Sequence, residues 1–387
     1  MRFLDQLDAD ALISRARTST GLVDLGPDHF REPLDVLLRS MRDEARLNEA
    51  GANTHAARIA NALENRLRRV DLVKRHPEIL DEQVDVGVII VGLPRTGSTM
   101  LQRLLAASPR ATAMVWWETI FPLPRDNSGE ADIATRKADA KQLSDDLVAA
   151  SAGFESIHPM DAFAHDEELP LIEQSFISNI PEAMLYLPSY GEWLLDADQT
   201  AAYGELLEWL KILQWQDPSR RGRKWILKAP HHLTAVSTTL DTFPGAIIAM
   251  THRRVDHVMG SYYSMVASLT SGNTDTDLSK EQAAHWTRRL RRNLVDMLPV
   301  REARPERFFD IQYRDLLSDP VGSAQAIFAA AGMAADDDDI AAWQTWLGGN
   351  QRDSRPSHKY DLADYGVDRE ALMQDFAFYS DVYVPEA

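Results

Sequence analysis

The sequence lacks cysteine altogether, which excludes disulfide bonds, thiolate metal sites and cysteine nucleophiles. It also lacks an apolar run of membrane-spanning length, and the residues from Met1 to Gln6 do not form the apolar core of a signal peptide. From these absences we expect a soluble, cytoplasmic protein with no transmembrane segment.

Positive charge is scarce as well. The 387 residues include 41 lysines and arginines against 59 aspartates and glutamates, which gives a formal net charge of −18. A protein that binds a nucleic-acid backbone needs a basic surface, so this balance excludes nucleic acid as the main partner. Any site for an anion must therefore be a local group of cations.

The chain is longer than one hydrophobic core usually serves. Apolar residues recur at helical spacing over residues 34–47 and 56–72. We therefore expect a helical N-terminal layer over residues 1–80 and an α/β domain over 81–387, with a helical insertion at about 126–220. The layer either covers one face of the sheet or forms a wall of a ligand pocket.

A strand, a glycine loop and a helix follow one another without a gap. Residues 86–91 form a short apolar run that predicts a buried strand, Gly92 to Gly97 is a tight loop, and a helical pattern begins at Ser98. Loop amides and a helix N-terminus make a phosphate cradle, to which Ser98 and Thr99 add hydroxyl groups. The sequence therefore predicts a P-loop-like central parallel sheet flanked by helices.

The loop departs from the nucleoside triphosphate version, G-x-x-x-x-G-K-[ST], because Ser98 stands where the lysine belongs. Without that lysine the loop lacks the charge that reaches the β and γ phosphates of ATP, whereas Arg95 is a basic group closer to the cradle. A donor with one phosphate in the cradle fits these residues better. An accidental glycine turn before a core helix is the alternative.

Residues 94–99, Pro-Arg-Thr-Gly-Ser-Thr, resemble the 5′-phosphosulfate loop of sulfotransferases that use 3′-phosphoadenosine 5′-phosphosulfate (PAPS). The resemblance implies a donor-binding set of Arg95, Thr96, Gly97, Ser98, Thr99 and Met100. Two of these depart from the cytosolic small-molecule enzymes, which have lysine in place of Arg95 and often an adenine-stacking tryptophan in place of Met100.

A second segment matches the same family. Arg253 follows a predicted strand over 246–251, and Ser261 comes eight positions later, as do the arginine and serine that hold the 3′-phosphate in family members. An arginine fork binds phosphate bidentately, and a helical serine adds a neutral donor. The alternative is that Arg253 and Arg254 form a solvated basic pair.

Two further segments complete the donor site that the resemblance implies. Tyr313 opens Tyr-Arg-Asp-Leu, which resembles the family motif Tyr-Glu-Asp-Leu, whose tyrosine contacts adenine. Arg355 and Lys359 lie in a late basic segment, and a loop at that place closes over the 3′-phosphate in the family. We therefore expect all three residues to bind the donor.

Two acceptor-side candidates for a general base emerge. Glu118 is a lone acid among large apolar residues, and Glu118-Thr119 resembles the Glu-Thr that supplies the base in the tyrosylprotein branch. Lys228 and His232 match the family pattern Lys-x-Pro-x-His-Leu, which implies that Lys228 contacts the transferring group and makes His232 the second candidate base. The alternatives are a surface glutamate in an aromatic turn, and buried or capping imidazoles at His231 and His232.

An acidic segment, His165-Asp-Glu-Glu168, overlaps the start of a predicted amphipathic helix over 167–178. No third ligand at metal-binding spacing accompanies it, so we interpret it as a solvated helix start and expect no metal.

Four motif segments between Pro94 and Asp315 occur in the order of the family. We interpret the chain as a PAPS-dependent sulfotransferase that transfers a sulfuryl group to a small-molecule, lipid or glycan hydroxyl and releases adenosine 3′,5′-bisphosphate. A small-molecule kinase with an aberrant P-loop and a non-catalytic nucleotide-binding protein are the alternatives. Neither the acceptor's identity nor the oligomeric state follows from the sequence.

Overall fold

The computed structural model describes residues 2–125, 129–150, 161–350 and 360–384. At its centre lies a five-stranded parallel sheet with the strand order β2-β3-β1-β4-β5. The strands are β1 (Val86–Gly92), β2 (Ala111–Thr112), β3 (Lys224–Lys228), β4 (Ile247–His252) and β5 (Phe308–Gln312). The predicted α/β fold is confirmed, as are the strands expected over 86–91 and 246–251.

Helices flank the sheet. Before β2 they are α1 (Ala9–Thr20), α2 (Arg31–Asp43), α3 (Glu49–Arg75) and α4 (Ser98–Ala106), and α5 (Trp116–Ile120) follows β2. Between β2 and β3 follow α6 (Glu130–Ala150), α7 (Leu169–Ile172), α8 (Ile180–Met184), α9 (Pro188–Asp196) and α10 (Thr200–Gln216). Within the described ranges, no helix is both long enough and apolar enough to cross a membrane.

The second half of the chain adds further helices to both sides. They are α11 (Val236–Thr242), α12 (Val255–Ser271), α13 (Ser279–Ala303), α14 (Tyr313–Ser318), α15 (Pro320–Ala330), α16 (Asp337–Gly349), α17 (Arg369–Asp375) and α18 (Ala377–Tyr383). The sheet is covered on both faces as a result: Ile89 and Val91 pack with α10 and α13, whereas Val88 and Ile90 pack with α4 and α15. This double burial explains why β1 reads as an unbroken apolar run.

The connections from β1 and β4 leave the sheet in opposite directions. After β1 the chain passes through α4 to β2, and after β4 it passes through α12 and α13 to β5 on the other side. Open α/β sheets bind ligands at such a reversal, outside the carboxyl ends of the strands. Because Gly92 pairs with Thr251, the glycine loop and the turn after β4 lie side by side at this crevice.

The helix predicted over 167–178 is wrong in its extent. The segment contains only α7 and a 3₁₀ turn over Glu173–Ser175. Phe176 then adopts a φ of 61°, which ends the helical geometry, and the buried Tyr190 hydroxyl donates to the Phe176 carbonyl at 2.9 Å.

The N-terminal helices enclose an apolar cluster of their own and join the insertion through buried charges. Arg66 and Arg69 of α3 contact the same oxygen of Glu205 on α10, at 2.6 and 2.9 Å. The division of the chain at residue 80 stays a prediction.

Glu205 makes this junction sensitive to pH. Burial by itself raises the pKa of a carboxyl group, but the hydrogen bond with His29 and the charges of Arg69 and Arg66 lower the pKa of Glu205 from 4.5 to about 2. Because the folded-state pKa is the lower one, the stabilisation is complete above about pH 4.5 and is lost as the pH falls toward 2.

We expect Glu205→Gln to lower the free energy of unfolding by about 3 kcal/mol near neutral pH, because two buried guanidinium groups lose their shared anion. Urea denaturation of the variant and the parent protein measures this difference, which should shrink as the pH falls through the range of about 4.5 to 2. Glu208→Gln is the matched control, since Glu208 is more exposed and pairs with Arg69 alone. An equal loss in both variants, or a loss independent of pH, would contradict the assignment.

Candidate functional site

The predicted phosphate cradle runs from Gly92 to Gly97, between β1 and α4. Gly97 caps α4 with a φ of 87°, in the left-handed region that glycine adopts without strain. Arg95 has a φ of 66°, which is unusual for a residue with a side chain and persists only where surrounding contacts hold the backbone. The half-buried residues 98–100 form the first turn of α4, so their amides face the cradle end of the helix.

Contacts with β4 and with the residue after it fix the loop. The buried Thr96 hydroxyl donates to the Leu93 carbonyl at 2.8 Å and lies 2.6 Å from the Thr251 hydroxyl. A Cβ atom at Gly92 would lie 2.6 Å from the Thr251 carbonyl oxygen, so no side chain fits there. Arg253 Nη1 donates to the Arg95 carbonyl at 2.8 Å. The strained loop is therefore held from the neighbouring strand.

The structure also brings the predicted 3′-phosphate and adenine residues to this loop. Arg95 Nε donates to Ser261 Oγ on α12 at 3.1 Å, and the Arg253 guanidinium lies 4.3 Å above the Tyr313 ring. Three side chains from two distant segments thus lie beside the cradle and its Arg95. Two guanidinium groups and hydroxyl donors suit an anionic ligand, and the aromatic ring suits a planar base.

Lys228 lies at the same edge of the sheet, because it ends β3 and pairs with Ile90 of β1. Its side chain is only 4% exposed, and its Nζ donates to Glu167 Oε1 at 3.1 Å. Its main-chain N–H donates to Glu168 Oε2, also at 3.1 Å. Two adjacent carboxylates therefore hold the lysine at its backbone and at its ammonium group.

The interpretation of residues 165–168 as a solvated helix start is wrong. Asp166 and Glu168 are buried, and the segment is tied to α4, where Gln102 and Arg103 donate to the carbonyls of Asp166 and His165 at 3.1 and 2.8 Å. Sequence analysis missed Glu167 and Glu168 as site residues. Their only local signal is an acid pair directly before a buried apolar run, and the contact with Lys228 spans 61 positions.

His232 is fully buried and engaged at both ring nitrogens. Its Nε2 bonds to Glu168 Oε1, and its Nδ1 lies 2.7 Å from the hydroxyl of the buried Tyr203. Because a carboxylate accepts, we assign the proton to Nε2 and the donor role at Nδ1 to Tyr203. Burial holds the pKa of His231 well below its ordinary value, and the charges of His232 and Arg289 contribute smaller effects in the same direction. This geometry favours structural imidazoles over a base at either position.

Glu118 is also buried, with both carboxylate oxygens engaged. Oε1 accepts from Arg220 Nη2 at 2.5 Å, and Oε2 accepts from the Val115 N–H at 2.9 Å in a capping box. Arg220 precedes β3 and lies over Trp225, toward the amino end of that strand, whereas Lys228 is at the carboxyl end. The arrangement favours a structural role, and catalysis by Glu118 stays a prediction.

Arg355 and Lys359 lie outside the described residues, so their predicted contact with the 3′-phosphate stays a prediction.

We expect Gly97→Ala to lower the free energy of unfolding by about 2 kcal/mol or more. A side chain at a φ of 87° is strained, and its Cβ would lie 3.0 Å from the Tyr313 ring. Chemical denaturation measures the change, with Gly204→Ala as the matched control. Gly204 lies in α10 with nothing within 4 Å of an added Cβ, so the free energy of unfolding of Gly204→Ala should rise by up to about 1 kcal/mol. Equal effects would contradict a special role for the Gly97 backbone.

Comparison with known proteins agrees with this geometry. The family model described as "Sulfotransferase family" matches residues 87–337. Among solved structures, sulfotransferase STF1 from Mycobacterium tuberculosis H37Rv is similar, with 29% identity, a TM-score of 0.84, and coverage of 96% of this chain and 98% of that one. Sulfotransferase STF9 from Mycobacterium avium is similar with 26% identity, a TM-score of 0.86, and coverage of 98% and 97%. No curated protein matches significantly. Because the family model spans well over half of the sequence, this chain belongs to the sulfotransferase family.

Proposed function

We propose that this sulfotransferase uses PAPS as the donor and transfers the sulfuryl group to a hydroxyl acceptor. The observation that carries the proposal is the contact between two anion sites. A phosphate cradle without the P-loop lysine is joined, through Arg95, to the Arg253 and Ser261 pair. A nucleotide with phosphates at both its 3′ and 5′ positions needs such a pair of sites.

PAPS, when bound, supplies the sulfuryl group, which leaves its 5′-phosphate oxygen as the new bond to the acceptor oxygen forms. Residues 96–99 would hold the 5′-phosphate with backbone N–H groups and hydroxyls, as loops at helix N-termini do. Arg253 and Ser261 would hold the 3′-phosphate, and Tyr313 would contact adenine. The half-buried Met100 lies on the first turn of α4, beside these groups.

Arg95 and Lys228 would stabilise the negative charge that develops between donor and acceptor. Lys228 suits this role because its ammonium group is almost buried at the sheet edge, where a charge interaction is weakly screened by water. Arg95 suits it because its main chain and side chain connect the cradle to both 3′-phosphate residues. Substitution of Arg95 would therefore impair donor binding and turnover together.

Glu167 is the carboxylate that we propose as the general base, in place of Glu118 and His232. It contacts Lys228 through Oε1, and its Oε2 is buried without a hydrogen-bond partner among the described residues. An acceptor hydroxyl directed at Oε2 would give up its proton there as the sulfuryl group arrives. The helical insertion thus supplies the base, and the sheet supplies the cations.

The alternatives are less well supported. A kinase is disfavoured because the chain belongs to a sulfotransferase family and because Ser98 replaces the lysine that ATP requires. A non-catalytic nucleotide-binding protein would need the carboxylate that pairs with Lys228, but not a second carboxylate oxygen left without a hydrogen-bond partner among the described residues. The cytoplasmic location, the lack of a nucleic-acid partner, the metal independence and the small-molecule, lipid or glycan nature of the acceptor remain predictions from the sequence.

We expect calorimetric titration to show at least about tenfold tighter binding of adenosine 3′,5′-bisphosphate than of ATP. Arg253→Ala should weaken bisphosphate binding by about 10- to 100-fold, because a charged hydrogen bond to phosphate is lost. Arg292→Ala is the control, since Arg292 is exposed and pairs with Asp296 on the same helix. Equal or tighter ATP binding, or no loss in Arg253→Ala, would overturn the donor assignment.

Single-turnover transfer separates the candidate bases. Glu167→Gln should reduce the rate by roughly two to four orders of magnitude, the usual worth of a general base, while bisphosphate affinity changes little. Glu118→Gln should instead lower the free energy of unfolding by about 3 kcal/mol and leave the transfer rate per folded molecule near normal, because it weakens a buried ion pair.

A large loss of transfer rate in Glu118→Gln, with a near-normal rate in Glu167→Gln, would assign the general base to Glu118 instead. His232→Gln belongs in the same experiment, and a selective loss of transfer there with intact donor affinity would assign the base to His232.

A further inference from the structure

A cavity of about 730 Å³ lies beside the proposed 3′-phosphate site. Its lining joins Arg253, His257 and Tyr313 to a C-terminal side, which is made of Met373, Ser380, Asp381 and Val384. Its size falls within the range of small-molecule sites, about 300–1,000 Å³. The C-terminal side lies beyond residue 337, where the match to the family model ends.

The C-terminal helices are attached to residues that adjoin the donor site. The Tyr379 hydroxyl lies 2.8 Å from Nδ1 of His252, the neighbour of Arg253. Gln312, the neighbour of Tyr313, donates through Nε2 to the Tyr383 carbonyl at 2.9 Å. The position of α18 is therefore set by the same two strand ends that present Arg253 and Tyr313.

A third attachment fixes α17. Arg369 Nη2, at the start of α17, contacts Asp256 Oδ2 in the first turn of α12 at 2.6 Å. Asp256 is only 4% exposed, so its charge depends on this partner and on Arg254. Because both helices are held, the C-terminal side is a fixed wall of the cavity.

One residue of this wall carries an unsatisfied polar group. A helical serine commonly bonds to the carbonyl four positions earlier, but Ser380 Oγ is buried and has no hydrogen-bond partner among the described residues. Leaving a buried hydroxyl unpaired is destabilising, so such a group in a cavity wall points to a ligand that pairs with it.

We propose that α17 and α18 form the outer wall of the nucleotide pocket and that the Ser380 hydroxyl hydrogen-bonds the nucleoside of the donor. The inference rests on the proposed use of PAPS, because the cavity shares Arg253 and Tyr313 with that donor site. It adds a donor-contacting residue outside the motifs of the family. Arg254 and Arg314 also line the cavity, together with Asp381, so its lining carries more positive than negative charge, as suits an anionic nucleotide.

The test places a large side chain in the cavity by substitution of Ser380. Ser380→Phe should weaken calorimetric binding of adenosine 3′,5′-bisphosphate by at least about 100-fold, because the ring occupies the nucleotide's space. Val382→Phe is the matched control, since Val382 lies on the same helix with 66% of its surface exposed. It should bind like the parent protein. Ser380→Ala should weaken binding by about 2- to 10-fold, as expected for one neutral hydrogen bond.

Transfer assays give a second readout, in which both Ser380 variants should raise the donor KM and leave kcat near normal. Parent-like bisphosphate binding by Ser380→Phe, or an equal loss in Val382→Phe, would overturn the inference while the proposed function stands. If Ser380→Phe does not fold, Ser380→Ala decides, and unchanged affinity there overturns the inference. A parent protein that binds no bisphosphate would overturn the proposed function and this inference with it.

Discussion

The candidate site depends on one set of contacts, between the glycine loop and the strand beside it. Arg95 keeps its left-handed backbone because its carbonyl accepts from Arg253 and because Thr96 next to it is packed against Thr251. The same contacts place Arg253 beside the loop. The cradle and the second anion site are therefore not independent modules, since the backbone of one is held by the side chain of the other.

The sequence predicted the features that are encoded locally. The strand, loop and helix of residues 86–106 form a continuous segment, and the motifs around Arg253 and Tyr313 lie at strand ends, where the parallel sheet brings them together. The acid pair Glu167 and Glu168 escaped prediction because its partner Lys228 lies far along the chain. Glu118 was predicted as a base from its sequence neighbours alone. Large apolar neighbours surround a buried ion pair as often as a catalytic base, so they could not distinguish the two roles.

An acidic protein whose candidate site suits an anion must concentrate its few cations there. Lys228 illustrates how this chain does so, since a nearly buried ammonium group is stable only beside a carboxylate. The other carboxylate oxygen of Glu168 accepts a hydrogen bond from His232, and the ring of His232 in turn contacts the Tyr203 hydroxyl. The insertion between β2 and β3 is thus more than a cover for the sheet, because it supplies the negative charge that the site's lysine requires.

The attachment of Tyr379 to His252 also bears on how the enzyme is made. Its two residues lie 127 positions apart, and the glycine loop precedes both. A chain that grows from its N-terminus therefore exposes the phosphate cradle long before α18 emerges, and contacts of such separation form slowly. Translation delivers the glycine loop early and α18 late, so the contacts between the strand ends and α18 are completed near the end of synthesis rather than with the motif that begins the site.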